Sequence, residues 1–379
     1  MFINGEGFII FGTNRKELTL KKNICIITSS LGGGGAERVA AQQSKIFQDL
    51  GFNVYIITIV NSVTYPFSGK LLNLGLELNG KDSIKAKVIR HIKIRRFIKK
   101  NKIDIIVDHR ARLSVFTEIV FSYFSFCNKP IIYNIHNYKT ETYIPGDNFI
   151  LNRIFAKANK IVTVSKAIEK KIINEYGFKN VQTIYNPVQM DDIDLKEIDT
   201  VDTDFNYILF YGRLLDKAKN IKLLIDAYQK SILSKSKIKL LIMGNGKDKE
   251  MLVEMVNKLS LSEMILFKPF VSNPFSIVKN AKFTMLTSRH EGFPMVIIES
   301  LACGTPIISV DCKSGPNEII RNKFNGLLVE NNNVKALTEA IDLFVLNQEL
   351  YNYCKKNAKE SIAKLDIEII SKEWLNILK

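Results

Sequence analysis

Cysteine is scarce and unpatterned: Cys25, Cys127, Cys303, Cys312 and Cys354 lie far apart, with no paired spacing. An odd, scattered set argues against a disulfide framework and against a thiolate metal site, and it points to a reducing cytoplasm. Long apolar runs are also missing. Phe8 to Phe11 is too short for the core of a secretion signal, and Val115 to Cys127 is interrupted by Glu118 and several serines, so no transmembrane helix is expected. No Gly-Lys-Ser/Thr follows a glycine run, and no spaced dinucleotide fingerprint occurs, which sets aside the P-loop and the simplest dinucleotide folds. Acidic residues are short in one half only. Residues 1 to 186 carry 28 Lys and Arg against 13 Asp and Glu, whereas residues 187 to 379 carry 26 against 25. A basic half expects an anionic surface or substrate; with no recognition motif or aromatic stacking series beside the charge, nucleic acid is not the expected partner.

What the chain does have is regular alternation. Ile24 to Ile27, Val54 to Val60, Ile103 to Val107, Ile131 to Ile135 and Ile161 to Val164 read as buried strands, separated by helical stretches such as Ile84 to Asn101 and one from Leu113. A linker at Tyr185 to Val188 leads into an acidic segment, Met190 to Asp204, after which the alternation restarts at Tyr207 to Tyr211, Lys239 to Met243, Phe283 to Leu286 and Thr305 to Val310. This predicts an α/β protein with two doubly wound parallel sheets. The expected division is residues 1–22 as an extension, 23–186 and 206–365 as the two domains, 187–205 as the linker and 366–379 as a terminal helix. The acid pairs Asp192-Asp194 and Asp202-Asp204 invite a metal reading, but they sit in a charge-rich linker without strand context and are read as solvated loop.

The densest stretch is Thr287 to Thr305, where a polar turn enters an apolar helix with Glu291 and Glu299 near its ends. A continuous helix would separate the two acids by about 12 Å, too far to flank one glycosidic bond. They could hold the ends of an elongated ligand while free amides at Gly292, Phe293 and the helix start meet an anion. The competing reading is an ordinary amphipathic helix, with Glu291 near its cap and Glu299 solvated. Glycines 32 to 35 let backbone approach a ligand closely, and Arg213 with Lys217 or Lys219 stands between a strand end and a helix start, where cations reach a diphosphate. His109 and His136 fall beyond strand ends, where ligands bind in such sheets. The segment Ser83 to Lys102 reads as a basic amphipathic helix, carrying Lys93, Arg95, Arg96, Lys99 and Lys100 toward an acceptor or an anionic membrane. Glu318 is read as structural.

Glu291-Gly292-Phe293-Pro294 with Glu299 eight positions after the first acid, together with GGGGAERV, IIYNIHN and GRLLDKAKN, resembles the signature of retaining glycosyltransferase family 4. The resemblance runs from about Asn23 to the C-terminus. It implies the GT-B fold, two Rossmann-like domains facing across a cleft, with the acceptor on the first and a nucleotide-sugar donor on the second. It further implies that Glu291 contacts the transferred sugar, Glu299 the ribose hydroxyls, and His136 the reacting sugar. Arg213 and Lys219 would meet the phosphates, and Gly33, Gly34, Gly212, Gly244, Gly292, Phe293 and Pro294 would line the donor site. No metal and no cofactor are expected. The implied reaction moves a hexose or N-acetylhexosamine from a UDP-sugar to a glycan or lipid-linked glycan of a bacterial surface polymer, at the inner membrane face. A nucleotide-sugar epimerase on the same fold and a non-catalytic sugar-nucleotide or membrane-binding module are the other readings.

Overall fold

The computed structural model describes residues 21–80, 83–112, 114–145, 148–188, 205–271 and 273–379. Among these, the strands form two parallel sheets. The first contains β1 (Asn23–Thr28), β2 (Asn53–Thr58), β3 (Lys70–Asn73), β4 (Ile105–Asp108), β5 (Ile131–Ile135), β6 (Lys160–Thr163) and β7 (Val181–Thr183), in the order β3-β2-β1-β4-β5-β6-β7. The second contains β8 (Tyr207–Tyr211), β9 (Lys239–Met243), β10 (Ile265–Lys268), β11 (Thr284–Leu286), β12 (Ile307–Val310) and β13 (Gly326–Val329), in the order β10-β9-β8-β11-β12-β13. Their central strands are apolar and buried on both faces because helices cover both, as parallel sheets require. The short strands β3, β7 and β10, absent from the sequence reading, lie at or next to sheet edges, where fewer apolar residues are needed.

The strand order places the site. From β1 the chain winds outward through β2 and β3, then returns to lay β4 on the other side of β1; β8, β9, β10 and β11 repeat this. Oppositely directed crossovers leave a crevice beyond the strand ends at each reversal. In the first sheet Ile27 lies opposite both Ile57 and Asp108, so the loops after β1 and β4 leave at the same level. Gly32 to Gly35 follow β1, His109 follows β4, Gly212 to Asn220 follow β8, and Thr287 to Pro294 follow β11. Residues far apart in the chain therefore converge at two reversal points.

The chain end returns to the first sheet. Val188 N donates to Leu365 O (2.9 Å) and Ile367 N to Val188 O (3.0 Å), and the helix Ile367–Leu378 then packs Ile370, Trp374 and Leu378 with Phe47. The Trp374 ring meets the Phe47 edge at 5.5 Å, an anchor whose truncation costs about 3–5 kcal/mol. Residues 1–20 and the acidic pairs at 192–194 and 202–204 lie outside the described residues.

Candidate active site

Two helices that start at the reversal points have bare N-termini. The helix Gly35–Asp49 is preceded by Gly34 and the helix Met295–Ala302 by Pro294, and neither receives a side-chain cap. Ser83, Ser114, Asn148 and Ser165 accept hydrogen bonds from first-turn amides of their own helices, while the helices Ile221–Lys230, Lys249–Lys258 and Phe275–Asn280 also lack a side-chain cap. First-turn amides without a cap are donors that suit an anion, although Glu37 already brings a carboxylate to the start of the first helix. Because the second helix begins at Met295, Pro294 stands just outside it, and only Glu299 of the two acids is helical. The separation expected for a continuous helix therefore does not apply.

Each acid meets a cation. Lys219 Nζ lies 2.6 Å from Glu291 Oε1, both groups partly exposed. The loop after β8 holds this lysine in place: Asp248 Oδ2 accepts from Asp216 N (2.8 Å), Thr287 Oγ1 donates to Lys219 O (2.9 Å), and Arg289 N donates to Ala218 O (2.9 Å). Lys217 is exposed on the same turn. Arg213 reaches across to the first half, Nη2 donating to Gly33 O at 2.8 Å. Glu299 is only 2% exposed, which overturns the solvated reading. Arg38, in the first turns of the helix Gly35–Asp49, places Nη1 2.5 Å from its Oε1. Burial raises the pKa of Glu299 even so, with Arg38 opposing. Arg38 was not singled out from the sequence, although it stands inside GGGGAERV; what was missing was which face of the helix would meet the second half.

Gly292 lies hard against the first half. A Cβ there would lie 2.0 Å from the carbonyl oxygen of His136, so only glycine fits. Tyr138 N donates to Glu291 O (3.1 Å), and Asn186 Nδ2 to Phe293 O (3.1 Å), while the Phe293 ring stacks on Tyr185 at 4.7 Å. Phe293 and Pro294 thus shape the junction. Gly244 serves a different contact: its Cβ would meet Gly212 O at 1.8 Å, so these two loops lie back to back. Glu318, read as structural, accepts from Lys166 N (2.8 Å), Ala167 N (3.0 Å) and Tyr185 Oη (3.0 Å), tying the second half to a helix start of the first.

The two histidines form a stacked pair. His109 Nδ1 lies 2.9 Å from His136 Nε2, and His109 Nε2 lies 2.8 Å from Gln43 Oε1. Asn134 Nδ2 lies 3.0 Å from the same Nε2, so Gln43, Asn134 and His136 together fix the orientation of the His109 ring. Desolvation opposes charging of both rings. The pKa of His136 is lowered to about 3 by desolvation and then by Arg112, and that of His109 falls well below the ordinary range by desolvation and then by His136. His109 is the buried ring that holds His136, and Gln43, unremarked in the sequence, holds His109.

Apart from this site, Lys93, Arg96, Lys99 and Lys100 line a surface cavity of about 440 Å³ with Leu72 and Phe97. Arg95, grouped with them from the sequence, turns away: Nη1 donates to Phe124 O (2.5 Å) and its guanidinium lies 4.9 Å from the Phe124 ring centroid.

Two parallel α/β units whose reversal points meet, with cation and acid pairs at the junction, have the GT-B fold. The family model described as Glycosyltransferase Family 4 matches residues 33–192, and that described as Glycosyl transferases group 1 matches residues 191–361. The chain belongs to this glycosyltransferase family. Over 371 residues it is 28% identical to the N-acetylgalactosamine-N,N'-diacetylbacillosaminyl-diphospho-undecaprenol 4-alpha-N-acetylgalactosaminyltransferase of Campylobacter jejuni, covering 93% of this chain and 98% of that one. Over 361 residues it is 24% identical to an amylovoran biosynthesis glycosyltransferase of Erwinia amylovora, covering 94% and 99%. Among solved structures, TarM of Staphylococcus aureus, determined with UDP, superposes with a TM-score of 0.74 at 16% identity, over 94% of this chain and all of that one. HepE of Anabaena with UDP-glucose gives 0.73 at 16% identity, over 94% and 99%.

Proposed function

We propose that the protein transfers a hexose or N-acetylhexosamine from a UDP-sugar, with retention of configuration, to a hydroxyl of a glycan or lipid-linked glycan in bacterial surface polymer assembly. The observation that carries this is the Lys219–Glu291 pair beside the Gly292–His136 junction, with Arg213 reaching Gly33. A sugar held there would lie between the two halves, and its diphosphate would meet two cations and the uncapped amides. As the sugar–phosphate bond breaks, negative charge grows on the leaving phosphate and positive charge on the ring. Arg213, Lys219 and the free amides stabilise the first without reorganising, while Glu291 and His136 hold the sugar and the closed junction positions the acceptor hydroxyl. A leaving phosphate oxygen takes the acceptor proton. Glu299 receives the ribose hydroxyls, and no metal ion is assigned a part. Residues 23–186 form the acceptor side and 206–365 the donor side, with 366–379 crossing back.

The names of the relatives support the substrate class: the Campylobacter protein's includes a diphospho-undecaprenol acceptor, and TarM and HepE hold UDP or a UDP-sugar. The basic cavity at Lys93, Arg96, Lys99 and Lys100 would face acceptor phosphate or the anionic inner membrane surface. The test is a thermal-shift screen against UDP, GDP, ADP and their sugars, with and without chelator, in wild type and Glu299→Ala. A chelator-insensitive shift with UDP compounds, weakened in the variant, is the expected result. The absence of a shift with every nucleotide would overturn the donor site.

A further inference from the structure

The basic helix has a second face. Ile84, Val88, His91 and Arg95 recur at steps of four, three and four, one stripe of the helix Ile84–Lys100. At its far end the stripe is covered: His91 Nδ1 lies 2.7 Å from Ser125 Oγ, its ring meets Phe121, and Arg95 holds Phe124. At its near end Ile84 is 84% exposed and Val88 is open too. The turn Phe121–Ser125 that covers the far end exposes Tyr123 and Phe124, the helix Val115–Val120 leading into it exposes Phe116 (75%), and the adjoining helix Phe149–Ala156 begins with exposed Phe149 (79%) and Ile150. Single exposed apolar residues are ordinary. A run of seven over three neighbouring helices, flanked by Lys93, Arg96, Lys99 and Lys100, is not. The segments bearing Phe116 and Phe149 follow β4 and β5, the strands whose ends carry His109 and His136, so two of the three helices of the rim start from the same edge of the sheet as the junction.

We propose that this rim, Ile84, Val88, Phe116, Tyr123, Phe124, Phe149 and Ile150, inserts into the headgroup boundary of an anionic bilayer. The basic face of the same helix lies on the phosphates, so that a membrane-borne acceptor enters beside His136. The occupant is a bilayer because aromatic side chains beside a cationic face match an interface that is apolar within and anionic above. This rests on the membrane part of the proposed function and adds an apolar anchor to it. An anchor of this kind makes binding outlast electrostatic screening.

The test is sedimentation of the full chain with phosphatidylglycerol/phosphatidylethanolamine vesicles and with phosphatidylcholine vesicles, in low salt and in about 1 M salt, where the Debye length falls to about 3 Å. Wild type is expected to stay bound to the anionic vesicles in high salt. Phe116→Ser/Phe149→Ser should weaken that residual binding about tenfold or more, while Lys99→Glu/Lys100→Glu weakens mainly the low-salt binding. Complete release of wild type by salt, or an unchanged high-salt fraction in the phenylalanine variant, would overturn the anchor and leave the electrostatic surface standing. Failure of wild type to bind any vesicle would overturn both. The UDP thermal shift, unchanged in these surface variants, reports separately on the donor site and on folding.

Discussion

The two acid–cation pairs of the junction are built from different material. Lys219 and Glu291 both come from loops at the reversal point of the second sheet, whereas Arg38 belongs to the first half and Glu299 to the second. The first pair is assembled by one domain and stays partly open to solvent. The second exists only where the halves meet, and it buries its acid. The difference teaches that the first pair can be broken without touching the contact between the halves, whereas breaking the second acts on that contact as well.

The largest effect is expected from the first pair. Lys219→Ala should lower kcat/KM by about 10²–10³, the scale for removing one preorganised donor to developing charge, while leaving thermal stability close to wild type. Lys217→Ala, on the exposed side of the same turn, should change initial rates little. Near-total retention of activity in Lys219→Ala would remove the lysine from the reaction. Glu291→Gln refines the same pair: activity that survives it supports a phosphate oxygen as the proton acceptor.

Gly292→Ala acts on the contact between the pairs. Its Cβ would collide with the His136 carbonyl, and denaturant titration should show a loss of about 1–3 kcal/mol, as for overpacked sites. Arg38→Ala is expected to cost less, about 1–2 kcal/mol, because the guanidinium is partly exposed although its partner is not. Its signature is in the pH dependence. The folded pKa of Glu299 is already raised, so the native state binds more protons than the unfolded chain above the ordinary glutamate range, and stability falls as pH rises through that window. Removing Arg38 should widen the window; an unchanged profile would mean that the pair carries little.

The histidines act with the opposite sign, and only below the neutral range. Their folded pKa values are depressed, so their contribution is full above about 6.5 and is lost as pH falls toward the folded value, about 3 for His136. The slope is at most about 1.4 kcal/mol per pH unit for each ring. His109→Gln should flatten the wild-type slope between about pH 6 and pH 4 in denaturant titrations, and parallel curves would show that the ring is charged in the fold.

Much of the architecture was legible because parallel strands buried on both faces read as apolar runs. Ile24 to Ile27 and Lys239 to Met243 are such runs, and each corresponds to a strand. The four-residue β3 and the three-residue β7 were not legible, since edge strands need little apolar content. Glu291, Gly292, Arg213 and Lys219 could be picked out because they stand at strand ends inside stretches that resemble the family's motifs. Arg38 and Gln43 could not, because a polar residue on a helix declares nothing about what will face it. Arg95 was grouped with the other basic residues of its helix by charge, and its angular position separated it.

The sequence by itself determined the two rounds of strand and helix, the uneven charge, and the glycines and acids placed at strand ends, because these depend on local periodicity and residue type. Only the tertiary structure decided which cation meets which acid, that Glu299 is buried, that His109 stands behind His136, and that seven apolar side chains share one rim. Those outcomes depend on crossovers that bring distant segments together, and no local pattern encodes the distance between two loops that meet only when both sheets are complete.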